Sequence, residues 1–95
     1  MSVANDVLKW SKQNVAHSGS GNEIYVPGTA YPHMHITNKY VGYSTSSTHR
    51  QPLVNGDQIN KGTVNTVASE ATGDAQKVAQ YIKDKFVALL AHATM

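Results

Sequence analysis

The chain of 95 residues contains no cysteine. That excludes disulfides, iron–sulfur clusters, thiolate zinc sites and a cysteine nucleophile together. Charge is sparse as well: eight Lys and Arg face six Asp and Glu, for a formal net charge of +2. The cations are scattered, with Lys9 and Lys12 near the start, Lys77, Lys83 and Lys85 near the end, and Lys39, Arg50 and Lys61 between them. A duplex-DNA reader carries a clustered basic stripe and a reading helix, and neither is evident here. No apolar run approaches the roughly 20 residues needed to cross a bilayer. The opening residues, Met1 to Asp6, lack the basic, apolar and small-residue succession of a signal peptide. These absences predict a soluble protein without a membrane partner, made in the cytoplasm, with export by a signal-peptide-independent route left open. The length predicts one domain spanning 1–95, too small to divide cofactor and substrate binding between two units.

What is present is periodicity. Val3, Val7, Leu8, Ser11 and Val15 fall at helical spacing with Trp10 just off the stripe, predicting a helix from Ser2, as N-cap, to about Ala16. Glu23 to Val26, Pro32 to Thr37 and Lys39 to Thr45 read as short strands. The last two are joined as a hairpin, with Asn38-Lys39 as a tight turn at positive φ. A further short strand fits between Gln51 and the Asn55-Gly56 turn. Residues 62–71 suit a helix by the spacing of Val64, Val67, Ala68 and Ala71, although Thr63 to Val67 is also good strand material. Ala75, Val78, Ala79, Ile82, Phe86, Leu89 and Leu90 predict one continuous amphipathic helix over 74–91, capped by Asp74.

Helix, strands and helix make an α+β domain: a small antiparallel sheet of three to four strands, with the N-terminal and C-terminal helices packed on one face. Alternation then divides the hairpin. Met34, Ile36, Val41 and Tyr43 point to the helices, while His33, His35, Thr37, Tyr40, Gly42 and Ser44 share the opposite face.

The pair His33 and His35, with His49-Arg50 beyond a Ser/Thr-rich loop, is the main chemical signal. Three readings are open. The imidazoles can be ordinary half-exposed sheet residues. They can bind zinc through His33, His35 and His49, since three imidazoles leave one position open. Or they can cleave single-stranded RNA without metal, because imidazole serves as acid and base near neutral pH. In that last reading His33, His35, His49 and Arg50 are catalytic, and Thr37, Lys39, Tyr40, Ser44 and Thr48 hold the substrate. Small bacterial ribonuclease toxins offer a fold-level analogy, with catalytic groups on one face of a small sheet, but no sequence motif supports it.

Competing motifs are weak. Gly19-Ser20-Gly21 lacks the following Lys-Ser/Thr of a nucleotide loop, and no nucleophile-elbow pattern supports a Ser-His-Asp triad. His17 and His92 sit at expected helix ends, where an imidazolium complements the dipole. A non-enzymatic adaptor, inhibitor or immunity-type protein is the alternative, with Trp10 and five tyrosines as anchors for a protein partner. A solvent-facing Trp10 favours that alternative, and a core Trp10 weakens it.

Overall fold

The computed structural model describes residues 2–15, 23–26, 28, 29, 31–46 and 50–93. The elements run α1 (Val3–Asn14), β1 (Glu23–Tyr25), β2 (His33–Ile36), β3 (Tyr40–Ser44), β4 (Gln51–Asn55), β5 (Gln58–Ile59), α2 (Lys61–Glu70), α3 (Gly73–Lys85) and α4 (Val87–Leu90). The class is α+β, as the periodicity predicts. Among the described residues the sheet has five strands rather than three or four, because the chain continues past the Asn55-Gly56 turn into the two-residue β5. All neighbours are antiparallel in the order β1-β2-β3-β4-β5.

One face of the sheet is dry. Ile24, Met34, Ile36, Val41, Val54 and Ile59 are buried in a cluster with Val3, Ala4 and Val7 of α1, Val64 and Val67 of α2, and Val78, Ala79 and Ile82 of α3. The register aligns Ile24 with Met34 and Tyr43, and Ile36 with Val41, Val54 and Ile59, so burial follows the pleat strand by strand. A register shift between Val41 and Gly42 admits Leu53 as an extra residue of β4 and buries it too. Pro52 lies at that irregularity and outside the β4–β5 pairing, where a missing N–H is tolerated. Tyr43 is only half-buried.

The start of α1 fastens one end of this layer. Helix N-termini leave backbone N–H groups without internal partners, and here each of the first four has one. The Val3 N–H donates to Asp57 Oδ1 (2.9 Å), Ala4 to Gly56 O (3.1 Å), Asn5 to Ser2 Oγ (3.0 Å) and Asp6 to Ser2 O (3.1 Å). Gly56, at φ +63°, makes the β4–β5 turn that supplies two of these acceptors, and its N–H donates to Lys39 O (2.7 Å). Ser2 is therefore the N-cap, as expected. The β2–β3 turn is held differently from expectation: no residue other than glycine has positive φ among the described residues. Instead Thr37 Oγ1 accepts from the N–H groups of Lys39 (3.2 Å) and Tyr40 (3.0 Å).

Residues 61–70 are helical, with Asn60 as N-cap accepting from the Thr63 N–H. The last segment departs from one continuous helix. Its N-cap is Thr72 rather than Asp74, which lies in the first turn beside Lys77. The backbone breaks at Phe86 (φ −121°, ψ 31°), whose N–H still completes the α3 ladder to Ile82 O. Phe86 turns edge-on to Tyr81 and is half-buried, and the break brings Leu90 rather than Leu89 to the core. Leu89 is exposed.

At the C-terminal end of α2, Tyr31 Oη donates to Glu70 Oε2 at 2.8 Å while its ring stands edge-on to Tyr43 at 4.7 Å. The hydrogen bond to the carboxylate, then burial, push the Tyr31 phenol up from 10.0 to about 12. The folded protein holds this proton more tightly than the unfolded chain. Its contribution to stability is thus complete below pH 10.0 and is lost as the pH rises through about 12. In an alkaline absorbance titration the last phenol to ionise should disappear in Tyr31→Phe; an unchanged final step contradicts the pairing. Packing makes a second prediction. Ile82→Ala should cost about 2–5 kcal/mol as a buried large-to-small change, and Leu89→Ala less than about 0.5 kcal/mol as a surface change. Chemical denaturation reads both, and equal losses would contradict the break at Phe86.

Candidate functional site

The face opposite the helices is where β2 places its histidines. Burying Met34 and Ile36 commits His33 and His35 to the other side of the pleat, both half-buried. The register gives each a pair of cross-strand neighbours. His35 lies between Glu23 of β1 and Gly42 of β3, and His33 lies between Tyr25 and Ser44. Directly opposed residues bring their Cβ atoms to about 4.5–5.5 Å, so these six positions form one contiguous patch. The Tyr25 and His33 rings stand 5.0 Å apart, tilted at 48°. The Nδ1 atoms of His33 and His35 are both buried and have no hydrogen-bond partner among the described residues.

An ion pair spans the patch. Arg50, just before β4, donates through Nη2 to Glu23 Oε2 at 2.7 Å, although β2 and β3 lie between their strands. Two residues so placed meet only by lying across the open face. Arg50 and Glu23 keep 24% and 31% of their side-chain surface exposed, which makes the pair a weak source of stability and an accessible source of charge. Arg50 Nε is buried with no acceptor among the described residues.

Gly42 makes room for the next part. The Tyr40 side chain folds along its own strand over this glycine; a Cβ at Gly42 would lie 2.6 Å from the Tyr40 Oη and nearer still to the ring. In that pose Tyr40 Oη donates to the Arg50 carbonyl at 3.1 Å, which anchors the start of β4. Burial pushes the Tyr40 phenol up, with the Arg50 charge opposing.

Comparison with family models, with curated proteins and with solved structures finds no match. The residues must therefore be weighed on their geometry. Of the expected catalytic groups, His33, His35 and Arg50 share the patch, while His49 lies outside the described residues, as does Thr48. Of the expected substrate-binding groups, Tyr40 is present. Ser44 is buried, with its Oγ accepting from the Ser46 N–H (2.9 Å). Thr37 is engaged in the β2–β3 turn, and Lys39 is exposed at that turn, the end of the hairpin away from His33. The zinc reading at His33, His35 and His49 includes a residue outside the described ones; among the described residues no group of three or more His, Asp or Glu stands close enough to hold a metal ion. No described helix is long and apolar enough to cross a membrane.

Glu23 and Tyr25 belong to the patch and are absent from the sequence-derived set. Their signal was the alternation around Ile24, which sets both on the polar side of β1. Pairing them with the histidines, however, depends on how the chain returns between Val26 and Tyr31, and local pattern does not report that. On the helix side, Trp10 is neither free in solvent nor in the core: it is half-buried and stacked on Tyr81, with centroids 4.2 Å apart.

The fit of Tyr40 over Gly42 is open to test. Gly42→Ala should cost about 1–3 kcal/mol by overpacking and release Tyr40 from Arg50. The same change in a Tyr40→Ala background should be nearly neutral. A thermodynamic cycle without coupling between the two substitutions would contradict the placement of the ring.

Proposed function

We propose that the chain is a metal-independent ribonuclease that acts on single-stranded RNA at this open sheet face. The observation that carries the reading is that the half-buried His33 and His35 share the sheet face crossed by the Arg50–Glu23 ion pair. Alternate residues of a strand are about 7 Å apart, enough to seat a phosphodiester between two imidazoles.

The chemistry asks for little more. One imidazole takes the proton of the ribose 2′-hydroxyl as its oxygen attacks phosphorus. The P–O5′ bond breaks, and the other imidazole protonates the departing 5′-oxygen. The products are a 2′,3′-cyclic phosphate and a 5′-hydroxyl. Arg50 offsets the charge that develops on the phosphoryl oxygens. Glu23 acts as a positioning residue, holding the guanidinium across the face, and Tyr40 steadies it from the backbone side. His49 precedes Arg50 in sequence and is the third imidazole to test.

A second reading rests on the helix side. Val87 (66%) and Leu89 (42%) are exposed apolar residues of α4, close in sequence to the Phe86 that packs on the Trp10–Tyr81 stack. Such a surface suits a protein partner of an adaptor, inhibitor or immunity type.

Purified protein should cleave single-stranded RNA in the presence of EDTA, leave 2′,3′-cyclic phosphate ends and spare DNA. His33→Ala and His35→Ala should each lower the rate by roughly two to four powers of ten without unfolding the domain, and His49→Ala shows whether the third imidazole takes part. Wild-type protein that cleaves no RNA, or histidine variants as active as wild type, would transfer the argument to the partner-binding reading.

A further inference from the structure

Large exposed apolar side chains are few among the described residues: Tyr25 (51%), Val87 and Leu89. Tyr25 alone of these lies on the histidine face. Its ring tilts against His33 at 5.0 Å, and β1 is the edge strand of the described sheet, so no neighbouring strand crowds its outer side. A half-exposed aromatic ring beside two imidazoles and an ion pair gains nothing for the core. It does present a flat π surface at the border of the patch.

The spacing along β1 gives that surface a purpose. Tyr25 and Glu23 are alternate residues on one face, about 7 Å apart, and the register sets the first beside His33 and the second beside His35. The ring is therefore offset from the Glu23–Arg50 pair by a distance of the order of one nucleotide, from a phosphate across its ribose to the base. Every nucleobase has a π face, so an aromatic platform at that offset holds single-stranded nucleic acid with little sequence preference. A duplex keeps its bases stacked on one another and cannot use it.

We propose that Tyr25 is a base-stacking subsite that holds one unpaired nucleobase of single-stranded RNA while the adjoining phosphodiester lies over His33, His35 and Arg50. This rests on the ribonuclease reading and adds to it a substrate class: unpaired RNA, with paired RNA excluded by stacking geometry. Tyr25 binds and orients the substrate and moves no proton. Its loss is felt in binding rather than in the chemical step.

The test uses the full chain and two ligands, a single-stranded RNA substrate and an uncleavable 2′-deoxy oligonucleotide of the same sequence. Tyr25→Ala should raise KM for the RNA and weaken binding of the deoxy strand, each roughly 5- to 100-fold, with kcat within a few-fold of wild type. Tyr25→Phe should behave as wild type. Tyr25→Leu, apolar but without a π face, should resemble Ala. The unfolding midpoint should hold in all three, because the side chain is exposed. Wild-type cleavage with KM and deoxy-strand affinity unchanged in Tyr25→Ala would overturn the subsite alone. A wild-type protein that cleaves no RNA would overturn the ribonuclease reading and this inference with it.

Discussion

The two-residue repeat of the central hairpin is the constraint from which the rest follows. Met34, Ile36 and Val41 have no exposed surface, and the helices leave them no other place to go. A strand with those residues inward must turn His33 and His35 outward, since a slip of one residue would exchange the two sets entirely. Burial of apolar surface thereby aims the imidazoles, with no dedicated interaction needed to orient the strand. The fastening of α1 through Asp57, Gly56 and Ser2 ties the turns at one end of the sheet to the helix layer. The patch is built on regular elements of that sheet rather than on the turns.

Within the patch, one long side chain links what the sheet keeps apart. Glu23 comes from β1 and Arg50 from the residue before β4, with β2 and β3 between them, and their bond crosses the face that carries His35 and Gly42. Gly42 has no side chain to obstruct them, and Tyr40 fills the dent it leaves. Under the ribonuclease proposal, this guanidinium is the group that meets a phosphate seated between the imidazoles. The carboxylate that pairs with it is partly solvated, so the ion pair itself is weak.

Most of the fold was legible in the sequence, and the reason is periodicity. The α1 stripe, the alternation of β2 and β3, and the Val64/Val67 and Val78/Ile82 faces each report one element and its buried side. The exceptions share a cause. The break at Phe86, the Thr37-supported turn and the extra strand after Gly56 depend on aromatic packing, side-chain capping and a two-residue pairing, none of which leaves a repeat long enough to read. The site was legible only in part for a related reason. His33, His35, Tyr40 and Arg50 lie in or beside the hairpin that alternation places. Glu23 and Tyr25 enter through β1, whose register is set by tertiary pairing. Thr37 Oγ1 and Ser44 Oγ each accept from local backbone N–H groups, which such side chains readily do.

On the proposed function the histidine face, and not the helix face, receives the substrate. The most direct test is to follow the imidazole resonances of His33 and His35 and the indole resonance of Trp10 while an uncleavable 2′-deoxy single strand is titrated into the protein. Saturable shifts at both imidazoles with Trp10 unmoved are expected. Shifts at Trp10 with His33 and His35 unmoved would contradict the proposal.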